Sequence, residues 1–329
     1  MTEKPIRVAV VGVGEFGRNH VRVWRELEGV ELAGVVDSNA DRARQIAAEF
    51  NTKVIAGLDA LTAERVNAVS LAVPTKEHAS VGCRLLDAGL DVLVEKPMAA
   101  SIEEAGRLIA AAERSGSILQ VGHVERFNPA VIAAQKIVSQ PMFFEVHRLG
   151  IFTPRSLDID VVYDVMIHDL DILLSLVDSH VVDLKAVGIP VITDRVDIAH
   201  ARIEFATGTV ANLTASRVST ERVRKMRFFQ AHEYISLDFA RQDALRIRVQ
   251  PGNAQSPQPG IGFEKLPAPP EEPLRSELRA FLDSVRTRKP AVVDGSAGRR
   301  ALALADMVMA GILDHARRVK LGAFTPLEA

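Results

Sequence analysis

In "DVMIHDLDI", residues 164–172, three aspartates and a histidine stand among Val, Met, Ile and Leu. Charged groups are costly to bury without partners, so the cluster is read as a metal site, a proton-transfer site or a helix that simply carries acids. At about 100° per residue, Asp164, His168 and Asp171 share one narrow face and Asp169 points away from it. Apolar residues fill the rest of the circumference, which predicts a largely buried helix with one polar seam. Metal sites draw on several converging ligands at spacings such as H-x-x-x-H. One histidine beside acids does not meet that pattern, and no metal is expected. A histidine titrates near neutrality, which suits His168 to give or take a proton.

Two further motifs give that chemistry a setting. "VAVVGVGEFGRNH" places Gly12, Gly14 and Gly17 in G-x-G-x-x-G spacing between an apolar strand and a helix. Such glycines turn the chain, admit a pyrophosphate to the backbone and let the helix pack on the strand, with the phosphates at the helix N-terminus. Asp37 ends the next strand, where a carboxylate accepts hydrogen bonds from the adenosine ribose and repels a 2′-phosphate. NAD is therefore expected; Arg42 and Arg44 keep NADP open. In "VLVEKPMA" (92–99), Lys96 precedes Pro97 at the carboxyl end of a strand. Ligands bind at that edge in open α/β sheets, and a lysine cation there could stabilise a developing alkoxide. The residues expected around the cofactor are Gly12, Gly14, Glu15, Phe16, Gly17, Asp37, Pro74, His78, Glu95 and Lys96.

The elements that must position these residues alternate over the first third of the chain. Strand-like runs at 7–13, 30–37, 66–74, 91–97 and 118–124 are separated by amphipathic stretches. Continuous Val/Ile/Leu strands between helices indicate a doubly wound parallel sheet, taken as one domain over residues 1–122. From 123 to 329 the pattern changes. After a helix near 129–139 come strand candidates at 141–150, 181–190, 198–217, 224–239 and 244–250, the helix of the opening stretch lying among them. This predicts an α+β domain with a mainly antiparallel open sheet. Residues 251–273 read as a Pro/Gly-rich loop, and two helices near 273–288 and 297–317 close the chain.

Composition narrows the classes. With 329 residues, 47% hydrophobic and 25% charged, the chain is an ordinary globular protein of two-domain length. A net charge of −2 offers no bulk attraction to nucleic acid. Cys83 stands alone, which excludes an internal disulfide framework, and it is expected as a small buried group. No apolar run is long enough to span a membrane, and the chain enters a strand at once, so a cytoplasmic protein is expected.

The fingerprint with its trailing His20, the E-K-P motif at 95–97 and the D-x-x-x-H pattern at Asp164 and His168 resemble the Gfo/Idh/MocA family of nicotinamide-dependent oxidoreductases. The resemblance covers essentially the whole chain. It implies a sugar or cyclitol substrate, with Lys96 contacting substrate and nicotinamide, His168 as acid/base and Asp164 in support. "VGHVERFNPA" (121–130) and "DVVYDVMIHDLDI" (160–172) further resemble the branch that oxidises C3 of UDP-N-acetylhexosamines, including UDP-N-acetylglucosamine 3-dehydrogenases. That branch implies a 3-keto sugar nucleotide as product, destined for lipid A or polysaccharide synthesis. Contacts to the sugar nucleotide are then expected from Arg126, Phe127, Asn128, Arg148 and Arg155 beside Asp164 and His168. Arg217, at a strand end in a basic stretch, is a further phosphate candidate. Other sugar or inositol dehydrogenases, an NAD-retaining glycosidase and a non-catalytic NAD-binding regulator are the alternatives. An open sheet with one uncovered face favours a homodimer or homotetramer.

Overall fold

A computed structural model describes residues 4–153, 159–250 and 259–320. The chain divides into two compact units: residues up to Val124 with Glu272–Leu302, and Glu125–Glu271 with the residues from Ala303 onward.

The first unit is built on five parallel strands, β1 (Ile6–Val11), β2 (Val30–Val36), β3 (Ala68–Leu71), β4 (Asp91–Glu95) and β5 (Leu119–Gly122), in the order β2-β1-β3-β4-β5. Their apolar runs are buried on both faces, as Val8, Ala9 and Val10 at 0% exposure show. The connecting helices are α1 (Glu15–Glu26), α2 (Ala40–Glu49), α3 (Ala60–Ala63), α4 (Thr75–Asp87) and α5 (Ile102–Ser115). Ser101 caps α5 by accepting the Glu104 N–H, and Gly116 ends it at φ +68°. Strand order reverses between β1 and β3, so the carboxyl ends of these two strands form the switch point where open α/β sheets take ligands.

The second unit starts in a 3-10 turn, Val124–Phe127, and enters α6 (Pro129–Gln135). Its sheet contains β6 (Phe143–Leu149), β7 (Val181–Ile189), β8 (Ile198–Phe205), β9 (Val210–Ser216), β10 (Val223–Gln230), β11 (Glu233–Asp238), β12 (Asp243–Gln250) and β13 (Gly260–Lys265). The order is β13-β12-β11-β10-β6-β9-β8-β7, and β6 with β9 is the one parallel pair among these described strands. Alternation sets the faces: Phe144, Val146 and Arg148 of β6 turn inward. The loop reading of 251–273 is corrected at its centre, where Gly260–Lys265 pairs along β12. Residues 251–258 lie outside the described segments.

Between β6 and β7 the chain winds as a π-helical turn, Val162–Met166, that continues into α7 (Ile167–Leu176). The polypeptide finishes in α8 (Pro273–Thr287) and α9 (Gly295–Arg318). The position of α8 differs from the expectation that all residues after 122 form one domain. Leu278, Phe281, Leu282 and Val285 join the core of the first unit, where Phe281 meets Trp24 edge-on at 6.4 Å between ring centroids. Cys83 is half-buried, and burial pushes its thiol pKa up.

Arg217 has a structural post rather than a phosphate-binding one. Its Nε lies 3.0 Å from Asp197 Oδ1, and its terminal nitrogen donates to the Ile159 and Val196 carbonyls. Asp197 in turn accepts the N–H groups of Val191, Ile192 and Thr193 at 2.7–2.8 Å. Burial alone would raise its pKa; these donors outweigh it and hold the carboxyl below the usual carboxylate range. A depressed folded-state pKa stabilises above the unfolded value near 4 and is lost as pH falls through the folded value. Asp197→Asn is therefore expected to cost about 2–3 kcal/mol at pH 7. In thermal melts the gap to wild type should narrow as pH drops below about 4.

Candidate active site

The glycine loop after β1 is shaped by three distinct demands. Gly12 adopts φ +85°, and a Cβ there would stand 2.6 Å from the Ala72 carbonyl at the end of β3. A Cβ on Gly17 would stand 1.9 Å from Gly12 O, so helix and turn touch only because residue 17 is glycine. Gly14 meets nothing within 4 Å. Among the described residues no atom requires a glycine at that point, and the open space suits a ligand. Gly14 also caps α1 without a side-chain hydrogen bond, and Glu15 and Phe16 in the first turn are exposed. Space at Gly14 and an uncapped helix N-terminus fit a dinucleotide pyrophosphate. Gly14→Val is expected to leave the melting temperature unchanged and to weaken NADH binding by at least about tenfold, read by fluorescence titration.

Asp37 holds this loop. Its Oδ2 accepts the Val13 N–H at 2.7 Å and its Oδ1 accepts the Asn39 N–H at 2.8 Å. Arg42 donates from Nε to the Val13 carbonyl at 2.9 Å, so it is not a plain solvated residue, whereas Arg44 pairs with Asp41 on the surface.

At the neighbouring strand ends, Pro74 is exposed and begins α4, and Lys96 is half-buried after β4. His78 was expected beside the cofactor, but it is buried and its ring nitrogens lie 2.9 Å from the Val73 and Pro97 carbonyls. Burial holds its pKa below that of a free imidazole. Glu95 places Oε1 2.9 Å from His20 Nε2. His78 thus serves the local backbone and Glu95 pairs with a side chain of α1, roles that spacing alone did not reveal.

In the second unit the seam is divided between two windings. Asp164 lies in the π-helical turn and His168 in α7, so the even 100° step fails between them. π-Turns recur at functional sites. Next to Asp164, the Tyr163 hydroxyl donates to Asp306 Oδ1 at 2.7 Å, and burial with this partner raises the phenol pKa well above its ordinary value. Asp164 and His168 are half-buried, whereas Asp169 and Asp171 are 2% exposed. The two buried acids have cations of their own. Arg126 Nε donates to Asp171 Oδ2 at 3.1 Å. Arg148 grips Asp169 with two nitrogens at 2.8 and 2.7 Å and Glu125 with a third at 2.7 Å, its guanidinium 4.8 Å from the centre of the Phe239 ring.

These contacts correct three of the expected sugar-nucleotide ligands. Arg148 is 5% exposed and each of its three guanidinium nitrogens donates to Asp169 or Glu125. Asn128 is the N-cap of α6, accepting the Ala130 N–H and donating to Glu125 and to the Phe239 carbonyl. Phe127 is 5% exposed and packs inward. Arg155 lies outside the described residues. Glu125 escaped the sequence reading although it stands in the same "ERFNP" segment.

Comparison with known proteins agrees with this architecture. Residues 6–123 match the oxidoreductase family with an NAD-binding Rossmann fold, and residues 140–232 match the GFO/IDH/MocA C-terminal domain. The chain is 40% identical over 308 residues to UDP-N-acetylglucosamine 3-dehydrogenase of Acidithiobacillus ferrooxidans, spanning 93% of this chain and 97% of that one. A solved structure of that enzyme superimposes with a TM-score of 0.86 at 39% identity, over 93% and 97% of the two chains. Levoglucosan dehydrogenase in complex with NADH shares the fold, with a TM-score of 0.83 at 17% identity over 94% and 97% of the chains.

Proposed function

Because the chain belongs to the Gfo/Idh/MocA family of oxidoreductases, we propose that it is an NAD-dependent dehydrogenase oxidising C3 of a UDP-N-acetylhexosamine to the 3-keto sugar nucleotide. The observation that carries this reading is near-complete coverage at 40% identity to a UDP-N-acetylglucosamine 3-dehydrogenase. The Gly12–Gly17 loop and the N-terminus of α1 would hold NAD, which would supply the acceptor for the hydride of the carbinol carbon. His168 takes the hydroxyl proton at a ring nitrogen. Asp164 orients that ring. Lys96 donates a hydrogen bond from its ammonium group to the substrate oxygen and stabilises the charge that develops there. Arg126 has one nitrogen on Asp171; its remaining donors suit a diphosphate.

Incubating protein and NAD with UDP-sugars, free sugars and inositols tests the proposal through reduced-cofactor absorbance. Turnover confined to UDP-N-acetylhexosamines is expected. Turnover of free sugars or inositols instead would move the assignment to another dehydrogenase of the family.

We also propose that copies associate through the outer face of the eight-stranded sheet. Val210, Phe143, Phe229, Tyr234, Ile247 and Phe263 lie in one cross-strand row, with ring centroids 5.7 Å apart for Phe143–Phe229 and 5.1 Å for Phe229–Tyr234. Phe263 is 71% exposed, and exposed apolar stripes mark interaction surfaces. Sedimentation should show a dimer or tetramer that Phe263→Asp weakens. Among the described residues no helix is long and apolar enough to cross a membrane.

A further inference from the structure

A lysine carries its charge on a flexible four-carbon stem, so its backbone is the part a fold can fix in advance. Around Lys96 that backbone is held on both sides by buried histidines. His20 lies one turn beyond Gly17 on α1 and is 1% exposed. Its Nε2 donates to Glu95 Oε1 at 2.9 Å, and Glu95 Oε2 accepts the Lys96 N–H at 3.3 Å. Gly122 closes behind this carboxylate; a Cβ there would stand 3.0 Å from Glu95 Oε1. Burial by itself would raise the Glu95 pKa, but the His20 hydrogen bond and the nearby Lys96 cation are among the causes that outweigh it and hold the carboxyl below its usual range. On the other side, His78 is also 1% exposed and lies 2.9 Å from both the Pro97 and Val73 carbonyls. The neutral ring has a single N–H, so one of these carbonyls accepts it while the ring bridges the loop after β4 and the turn after β3.

We propose that His20 and His78 are positioning residues for Lys96, fixing the Glu95 side chain before it and the Pro97 carbonyl after it. The inference rests on the role of Lys96 proposed above. His20 shares its helix with the glycine loop, so the same element that receives the cofactor phosphates sets the place of the lysine. A misplacement of about 1 Å at a reacting group can cost on the order of 100-fold in rate.

The test uses the full chain with NADH bound, comparing His20→Leu and His78→Leu with His20→Gln and His78→Gln. Amide hydrogen exchange of the peptide covering residues 93–99 is the readout independent of turnover. Both leucine variants are expected to exchange the Lys96 amide at least about tenfold faster, with the preceding strand still protected. For the sugar nucleotide, kcat should fall on the order of 10- to 100-fold in the leucine variants. KM and the NADH dissociation constant should stay within about threefold. Glutamine keeps a donor, so His20→Gln should recover most of kcat and His78→Gln part of it. Unchanged exchange at Lys96 in the leucine variants overturns the proposal whatever their activity. So does a kcat loss that only follows melting temperature and NADH affinity, or a glutamine variant no better than leucine at equal stability. A wild-type protein that leaves UDP-N-acetylhexosamines unoxidised strikes the functional reading, while the exchange result still decides the clamp.

Discussion

His168→Ala is expected to lower kcat by roughly 10³-fold, with NADH affinity and melting temperature near wild type. A positioned general base contributes about 10²–10⁴ in rate, or roughly 3–5 kcal/mol of barrier at 1.36 kcal/mol per tenfold. His168 is half-buried, so its truncation opens no large core cavity. The fixed points of α7 are its neighbours, Asp169 on Arg148 and Asp171 on Arg126, and these survive the substitution. Asp164→Ala removes the orienting acceptor and leaves the base, so it should cost less, on the order of 100-fold. Steady-state kinetics with UDP-N-acetylglucosamine at saturating NAD provides the check. Activity of His168→Ala within about threefold of wild type would remove this residue from the reaction.

The largest stability effect is expected at Arg148. Arg148→Met leaves Asp169 and Glu125 buried around an apolar side chain, and breaking a buried ion pair from one side costs about 3–5 kcal/mol. Burial opposes the Arg148 charge, but Asp169 and Glu125 outweigh it and hold its pKa above even its ordinary high value, so the loss persists across the working pH range. Thermal melts should drop by roughly 6–15 °C. Arg148→Met with Asp169→Leu and Glu125→Gln should regain much of that loss, since no unpaired charge is then left in the buried cluster. This separates the structural role from the diphosphate role expected from sequence. A diphosphate ligand would raise KM for the sugar nucleotide without moving the melting temperature. A melting temperature within about 2 °C of wild type, together with a raised KM, would restore that earlier reading.

Much of the fold was legible because burial dictates pattern. The parallel sheet announced itself through continuous apolar strands, and the glycine fingerprint through its place between β1 and α1. The same logic, applied further, could have placed Arg148. In "FFEVHRL" the alternation that turns Phe144 and Val146 inward also turns Arg148 inward, toward the buried acids of α7. Asn128 before Pro129 likewise carries an N-cap signal, a short polar side chain before a proline at the first helical position. Other features depend on contacts far apart in sequence. No local pattern assigns α8 to the first unit; its apolar stripe at Leu278, Phe281 and Val285 would suit any core. The π-helical turn at Val162–Met166 was equally hidden, because its residues fit an ordinary α-helical period. The knot around Asp197 depends on backbone N–H groups, which are the same for every sequence.

UDP-N-acetylglucosamine carrying deuterium at C3 reports which carbon gives up its hydride. Single turnover with NAD should place the deuterium in the reduced cofactor and leave a ketone at C3 of the sugar nucleotide. Reduced cofactor without the label, from a sugar that retains its deuterium and is oxidised at another carbon, would contradict the account.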